Sequence, residues 1–555
     1  MANEINEIMA RQIANMQDRI HKSEDANEIF PIGKSEFFES ESNLLQDTPP
    51  QVPTRHVDSA VNDKIDDEKK MDGQGKKDDK PSPFLLKSVA LCVVISFGGF
   101  IVGWDIGIIG GITNMESFQE NFGPLVNLNT GRHYFPEILV GLVISIFSIG
   151  GVIGGLTIAK AGDWKGRKLG MYLSMFVYCL GLAIQLVHDY SWSQFFIGRI
   201  LTGLAVGSTA VLVPMFLSES APIAIRGAMT TLYQLMVTFG ILMGNVLNYI
   251  LRKGLADPLD NISWQLPIYM GYVWAATIVT GLFFTPESAN FLLTKKGCVE
   301  SAKFSFATMN GIAEDDDLTN KFVEQTLQQQ YETERQSNGL GLFEFVTGKP
   351  KYCKRLLVGI LVMTFQQLSG INYFFYYGTT LFEKANLNDP YLTSIFLSSV
   401  NFVSTFGGIY LVEALGRRSC LLLGSMGMFI CMLVYATVGT FALDASGSGI
   451  VMIAFTCIYI VFFATTLGPV SFVVVSELFP MKTKAVSMAI CSSFNWMFGF
   501  MISLLTPVIT AKIGFAYGYF FTACLLLSAI FVWIMVPETK GKSESDIDSL
   551  YENKR

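Results

Sequence analysis

The chain has 555 residues, of which 50% are hydrophobic, 13% aromatic and only 16% charged, where a soluble globular protein carries about a quarter charged. That composition argues against a soluble globular protein. The formal net charge of −7 comes entirely from residues 1–86, which hold 11 basic and 18 acidic side chains, while residues 87–555 carry 29 of each sign. Neither part has the clustered Lys and Arg excess that a nucleic-acid footprint requires.

Residues 1–86 are rich in Asp, Glu, Lys, Asn, Gln and Ser, with charge runs at Asp63–Lys70 and Lys76–Lys80. Such a segment buries too little apolar surface to offset its chain entropy and is expected to be a disordered tail, with at most a weak helix near Ile5–Ile20. It lacks the apolar core and cleavage site of a secretory signal, so membrane targeting falls to the first apolar segment. From Leu85 onward come apolar runs of about 20 residues, enough to cross a hydrocarbon core of ~30 Å as helix. Twelve spans are predicted, at 88–112, 138–158, 169–188, 195–216, 228–251, 266–285, 355–379, 391–412, 419–442, 451–476, 484–508 and 515–536. Lipid offers the backbone no hydrogen-bond partner, so each must be helical, and the 50 glycines suit close helix packing. The expected class is an all-α membrane protein.

Lys and Arg distribution predicts the orientation. With the N-terminus inside, the inner loops hold Lys160, Lys165, Arg167, Lys168, Arg226, Arg417, Arg418, Lys482 and Lys484. The outer loops hold only Arg132, Arg252, Lys253, Lys384 and Lys512. Both termini are therefore expected to be cytoplasmic. No Cys falls in an outer loop and no metal-ligand spacing occurs, so neither disulfides nor a metal or cofactor site is expected.

The chain repeats itself at long range. Gly166-Arg167-Lys168 recurs as Gly416-Arg417-Arg418, Ser218-Glu219 as Ser476-Glu477, and Pro286-Glu287-Ser288 as Pro537-Glu538-Thr539, at offsets of 250, 258 and 251 residues. These markers follow the second, fourth and sixth span of each half. The predicted organisation is a tail (1–86), a six-helix half (87–285), an intracellular helical linker (286–354), a second six-helix half (355–536) and a short tail (537–555). Two such parallel repeats can rock about a site near the bilayer midplane.

Here the motifs become specific. Gly162-Asp163-x-x-Gly166-Arg167-Lys168, Ser218-Glu219-x-x-Pro222-x-x-x-Arg226-Gly227, Pro286-Glu287-Ser288, Gln366-Gln367-Leu368-Ser369-Gly370-Ile371-Asn372 and Pro537-Glu538-Thr539-Lys540-Gly541 resemble the signatures of the sugar porters of the major facilitator superfamily. Gly103-Trp104-Asp105 and Asn372–Gly378 resemble most closely the budding-yeast hexose facilitators, with a leaning toward galactose carriers. The resemblance covers residues 87–541 and implies a twelve-helix carrier of glucose- or galactose-type monosaccharides in the plasma membrane.

A sugar presents hydroxyls that both donate and accept, so its site calls for amides, with aromatic faces for the C–H surfaces. Mid-span amides are Gln234, Gln366, Gln367, Asn372, Asn401 and Asn495, and Gly370 between the Gln pair and Asn372 would let the seventh span break and converge them. Interhelical glue is the competing role for each amide. Phe472, where relatives carry Trp or Tyr, offers stacking only, and Trp496 follows Asn495. Tyr376 and Tyr377 resemble the family's outer gate.

Asp105 and Arg199 are the clear intramembrane charges. The resemblance makes Asp105 a proton-coupling site in symporters, yet the hexose facilitators resembled here carry the same Asp, so uniport is the expected mode. Arg167, Glu219, Arg226, Arg417, Arg418 and Glu477 are expected, by the same resemblance, to form ion pairs across the inner mouth. The Pro286–Asn290 stretch departs from the family pattern, which predicts a weaker latch to the helices at 300–335. The competing functions are a proton symporter using Asp105 and a sugar sensor; sensors resembling this fold have long C-terminal tails, and only 19 residues follow Val536. Expected partners are a monosaccharide, lipid and, at the N-terminal tail, turnover machinery, with no nucleic acid.

Overall fold

The computed structural model describes residues 83–128, 131–187, 191–222, 226–255, 257–337, 344–348, 350–384, 389–443, 445, 447–542 and 544–552. The predicted N-terminal tail lies outside the described residues. Six long helices come first: α1 (Pro83–Ile112), then, after a short α2 (Glu116–Phe122) and a two-residue hairpin of β1 (Leu125–Val126) and β2 (His133–Tyr134), α3 (Glu137–Lys165), α4 (Arg167–Gln185), α5 (Trp192–Ser220), α6 (Arg226–Gly254) and α7 (Ile262–Phe284). Helices α8 (Ala289–Thr294), α9 (Val299–Asn310), α10 (Asp317–Ser337) and α11 (Glu344–Thr347) join the halves.

The second half differs in having broken crossings. Its seventh crossing is α12 (Tyr352–Leu368) plus α13 (Ile371–Lys384), followed by α14 (Pro390–Leu415) and α15 (Arg417–Phe441). The tenth is α16 (Ser448–Thr465) plus α17 (Leu467–Leu478). Then come α18 (Met481–Ile513), a 3₁₀ turn at Gly514–Tyr517, α19 (Gly518–Met535) and a terminal α20 (Glu544–Glu552). Among the described residues, eleven apolar runs meet the length for a crossing. The last, Val486–Met535, has 50 residues, far beyond the ~20 that one crossing needs, and the turn at Gly514 divides it into two. The total is twelve.

Between helices the backbones touch. A Cβ on Gly103 of α1 would stand 1.8 Å from the Val237 carbonyl of α6, an approach that only glycine allows and that supplies van der Waals packing where lipid provides no hydrophobic drive. The outer surface carries large bare side chains, among them Phe283 and Phe441, 77% and 79% exposed, which suit hydrocarbon rather than water.

The loops divide the bundle into a terminal side, holding α8–α11 and α20, and a far side. On the far side α1 and α6 meet α13 and α14 of the other half. Tyr391 Oη donates to the Gly111 carbonyl at 3.1 Å, Asn114 Nδ2 to Thr380 Oγ1 at 3.1 Å, Asn245 Nδ2 to Ser398 Oγ at 2.9 Å, and Lys253 pairs with Asp389 at 3.0 Å. The two halves are thus held together on this side.

Candidate functional site

Gly370 has φ +91°, a value that ends α12, and Asn372 resumes the crossing one residue into α13. The break brings four amides into a chain. Asn372 Nδ2 donates to Gln367 Oε1 at 2.7 Å, Gln367 Nε2 to Asn495 Oδ1 at 3.1 Å, and Asn495 Nδ2 to Gln366 Oε1 at 2.6 Å. Gln366 Nε2 donates in turn to the Gly468 and Leu467 carbonyls at 2.9 and 3.4 Å, and Asn495 Nδ2 also reaches the Met363 carbonyl at 3.0 Å. Gln366 and Asn495 are buried, Gln367 and Asn372 half-buried. Gly499 lies against the half-buried pair, 3.3 Å from Gln367 Oε1 to the point where its Cβ would stand. No amide pattern marks that glycine in the sequence.

The other candidate contacts are not members of this chain. Gln234 is half-buried on α6, Asn401 buried on α14, and Phe472 is 44% exposed on α17. Trp496 sits beside Asn495 and crosses to the first half, its ring 3.1 Å from the Cβ position of Gly151 and 6.2 Å, edge-on, from the ring of Phe147. Tyr376 and Tyr377 are buried. The Tyr376 carbonyl meets Gly110 across the halves, and Tyr377 Oη donates to the Ser503 carbonyl at 2.5 Å. Asn245, which links the halves through Ser398, escaped the sequence reading although the mid-span amide rule that selects Gln234 applies to it equally.

Asp105 and Arg199 pair at 3.0 Å with side chains 3% and 2% exposed. The guanidinium also lies 4.6 Å over the Phe147 ring, so α1, α3 and α5 share one cation. Among the described residues Arg199 Nε is buried without a hydrogen-bond partner, and Tyr178 Oη lies against the Asp105 carboxylate.

The terminal-side charges pair within each half in this structure. Arg167 forks onto Glu219 at 2.7 and 2.9 Å, and Arg417 pairs with Glu477 at 2.9 Å. Each pair joins helices of the same half, α4 to α5 and α15 to α17, instead of bridging the mouth. The reason is local: each Arg opens its helix directly after a positive-φ glycine, Gly166 or Gly416, and its planar fork is taken up by the neighbouring carboxylate. Arg418 donates to the Trp533 carbonyl at 2.6 Å, and the side chain of Arg226 lies outside the described residues. The latch from Pro286–Asn290 is also present: Ser305 Oγ of α9 donates to the Glu287 carbonyl, and Ser288 caps α8 by accepting from Phe291 N at 3.2 Å.

The chain matches the family model described as "Sugar (and other) transporter" over residues 91–551. It is 50% identical over 501 residues to hexose transporter HXT14 of Saccharomyces cerevisiae, spanning 88% of this chain and 93% of that protein. A low-affinity glucose transporter of Kluyveromyces lactis is 40% identical over 482 residues, 85% of this chain and 84% of its own. The fold matches the partially occluded inward-open xylose transporter XylE from E. coli with a TM-score of 0.68 and 25% identity, covering 82% of this chain and 99% of that one. With twelve crossings in two halves, an uncharged amide chain at the broken helices and a family match across nearly all of both, the chain belongs to the sugar transporter family of the major facilitator superfamily.

Proposed function

We propose that this protein is a plasma-membrane hexose transporter that carries glucose- or galactose-type monosaccharides by facilitated diffusion, alternating its access, with both termini in the cytoplasm. The observation that carries the reading is the amide chain at the Gly370 break, with Gln234, Asn401, Phe472 and Trp496 as the further contacts of the proposed site. It offers donors and acceptors to a neutral polyol without a charge among them. The names of the relatives support a hexose as cargo. Loss of a hydrogen bond to a sugar hydroxyl leaves a group unsatisfied, so Gln234→Ala costs ~1–3 kcal/mol in binding. The sugar crosses chemically unchanged, lipid surrounds the bundle, and the N-terminal tail serves turnover.

The buried Asp105 carboxylate in the membrane favours one second reading, proton symport. Labelled-sugar uptake in a yeast strain lacking its own hexose carriers separates them, with glucose, galactose, fructose and xylose, each with and without a protonophore. Uptake that equilibrates and ignores the protonophore is expected. Protonophore-sensitive accumulation would replace uniport by symport, and no uptake of any sugar would remove the transporter reading.

A further inference from the structure

The amide hydrogen bonds run in one direction. Starting at Asn372 they pass to Gln367, then to Gln366 through Asn495 and by a longer direct link of 3.5 Å, and end on the Gly468 carbonyl. Asn372 stands two residues past the break at Gly370, and Gly468 stands two residues past the break at Thr466, whose φ and ψ of −130° and −89° interrupt the tenth crossing. One relay thus begins at one broken helix and ends at the other. Each amide has a donor end and an acceptor end, so turning one member sets donor against donor unless the next turns too. In low dielectric the links also polarise one another. Behind the last link, Gln366 and Leu467 line a small void with Ser471 and Phe531.

We propose that this relay couples sugar occupancy to the hinge at Thr466, with Gln366 and Asn495 acting as positioning residues for α17. The proposal rests on the sugar-carrying reading above. A hydroxyl arriving at the two half-buried members, Gln367 and Asn372, competes for the bond between them. The displaced amide reorients Asn495 and then Gln366, which changes its hold on the Gly468 carbonyl. Gln234, in the other half, has no place in the relay.

The test places a cysteine reporter on α17, Val473→Cys, in the full chain with the exposed Cys298 and Cys353 changed to Ser. Maleimide labelling is timed with and without glucose, and binding of radiolabelled glucose is measured separately. Filling the site is expected to change the labelling rate on the order of fivefold. Gln366→Met and Asn495→Asp, the latter keeping volume and acceptor but losing the donation to Gln366, should lose that change at glucose concentrations that fill their sites. Gln234→Leu should bind more weakly yet keep the full change once filled. A change that persists in both relay variants at saturation overturns the coupling, and so does loss of measurable binding in both, which would make them plain sugar contacts. Absence of binding by the unmutated relay to glucose, galactose, fructose and xylose would instead overturn the transport reading on which the coupling rests.

Discussion

Glu287 and Glu538 stand 251 residues apart and make the same contact: each carboxylate accepts from the first two backbone amides of the helix that opens at a paired Arg. Glu287 takes Arg167 N at 2.9 Å and Lys168 N at 3.2 Å; Glu538 takes Arg417 N at 2.9 Å and Arg418 N at 3.1 Å. An acid at a helix N-terminus satisfies orphan donors and complements the dipole. Ser288 and Thr539 then donate hydroxyl hydrogen bonds to Glu219 and Glu477. All three repeat markers therefore meet in one network per half.

The glycines of that network should tolerate no side chain. Gly166 has φ +124°, and its Cβ would stand 2.5 Å from Glu287 Oε2. Gly166→Ala is expected to cost ~1–3 kcal/mol, read as a lower Tm in detergent, with Gly416→Ala a parallel case. A melting temperature unchanged in both would show the caps to be dispensable.

Burial pushes the Glu538 carboxyl up, but the amide N–H groups of Lys540, Arg417, Arg418 and Thr539 outweigh it and hold the group below its usual range. A depressed carboxylate contributes stability that is present above the unfolded value, about 4.3, and is lost as pH falls through the folded one. Glu538→Gln should thus melt below wild type at pH 7, and the gap should narrow below about pH 4. A constant gap down to pH 2 would contradict this.

Asp105 and Arg199 are a buried pair whose separation is asymmetric in cost. Asp105→Ala strands the Arg199 charge and should cost ~3–5 kcal/mol, enough to abolish accumulation of folded protein. Asp105→Asn keeps an acceptor for Arg199 and should retain a folded carrier that exchanges sugar. Fluorescence-detected size exclusion checks the first and counterflow exchange the second; an Asn variant that accumulates sugar less than wild type while still exchanging it would mark Asp105 as a coupling acid.

The C-terminal helix is docked on the base of the seventh crossing. Arg355, 1% exposed, pairs with Asp548 at 2.6 Å and lies 4.7 Å over the Tyr551 ring. Asp548→Ala should release α20, losing about 1–3 kcal/mol of docking, seen as faster amide exchange in Glu544–Glu552. Burial pushes the Tyr551 hydroxyl up to about 12, with the Arg355 cation working against it. Docking should therefore be intact up to about pH 10 and be lost between there and pH 12; exchange protection that is flat across that window would contradict it.

The sequon at Asn261 should remain unmodified. Asn261 Oδ1 accepts from Asn121 Nδ2 at 2.5 Å and from Trp264 Nε1 at 3.4 Å, and Ser263 Oγ is buried against Ser117 at 2.6 Å. Endoglycosidase treatment should leave gel mobility unchanged, as should Asn261→Gln.

Hydropathy and chain length determined the twelve crossings, because lipid leaves helix as the only way to satisfy an isolated backbone segment. The internal offsets likewise showed the two halves, and Gly370 stood out as a break. What the linear order left open was partnership. Nothing in the spacing says that Gln366 spends its donors on the Leu467 and Gly468 carbonyls, since the break at Thr466 lies about 100 residues away and its residues read as one apolar run. Nor does composition tell whether Arg167 and Arg417 reach across the mouth or fold back onto their own halves. That choice depends on where a positive-φ glycine aims the first helical turn. The tertiary structure alone decides it, because a guanidinium fork binds the carboxylate that packing places within 3 Å of it.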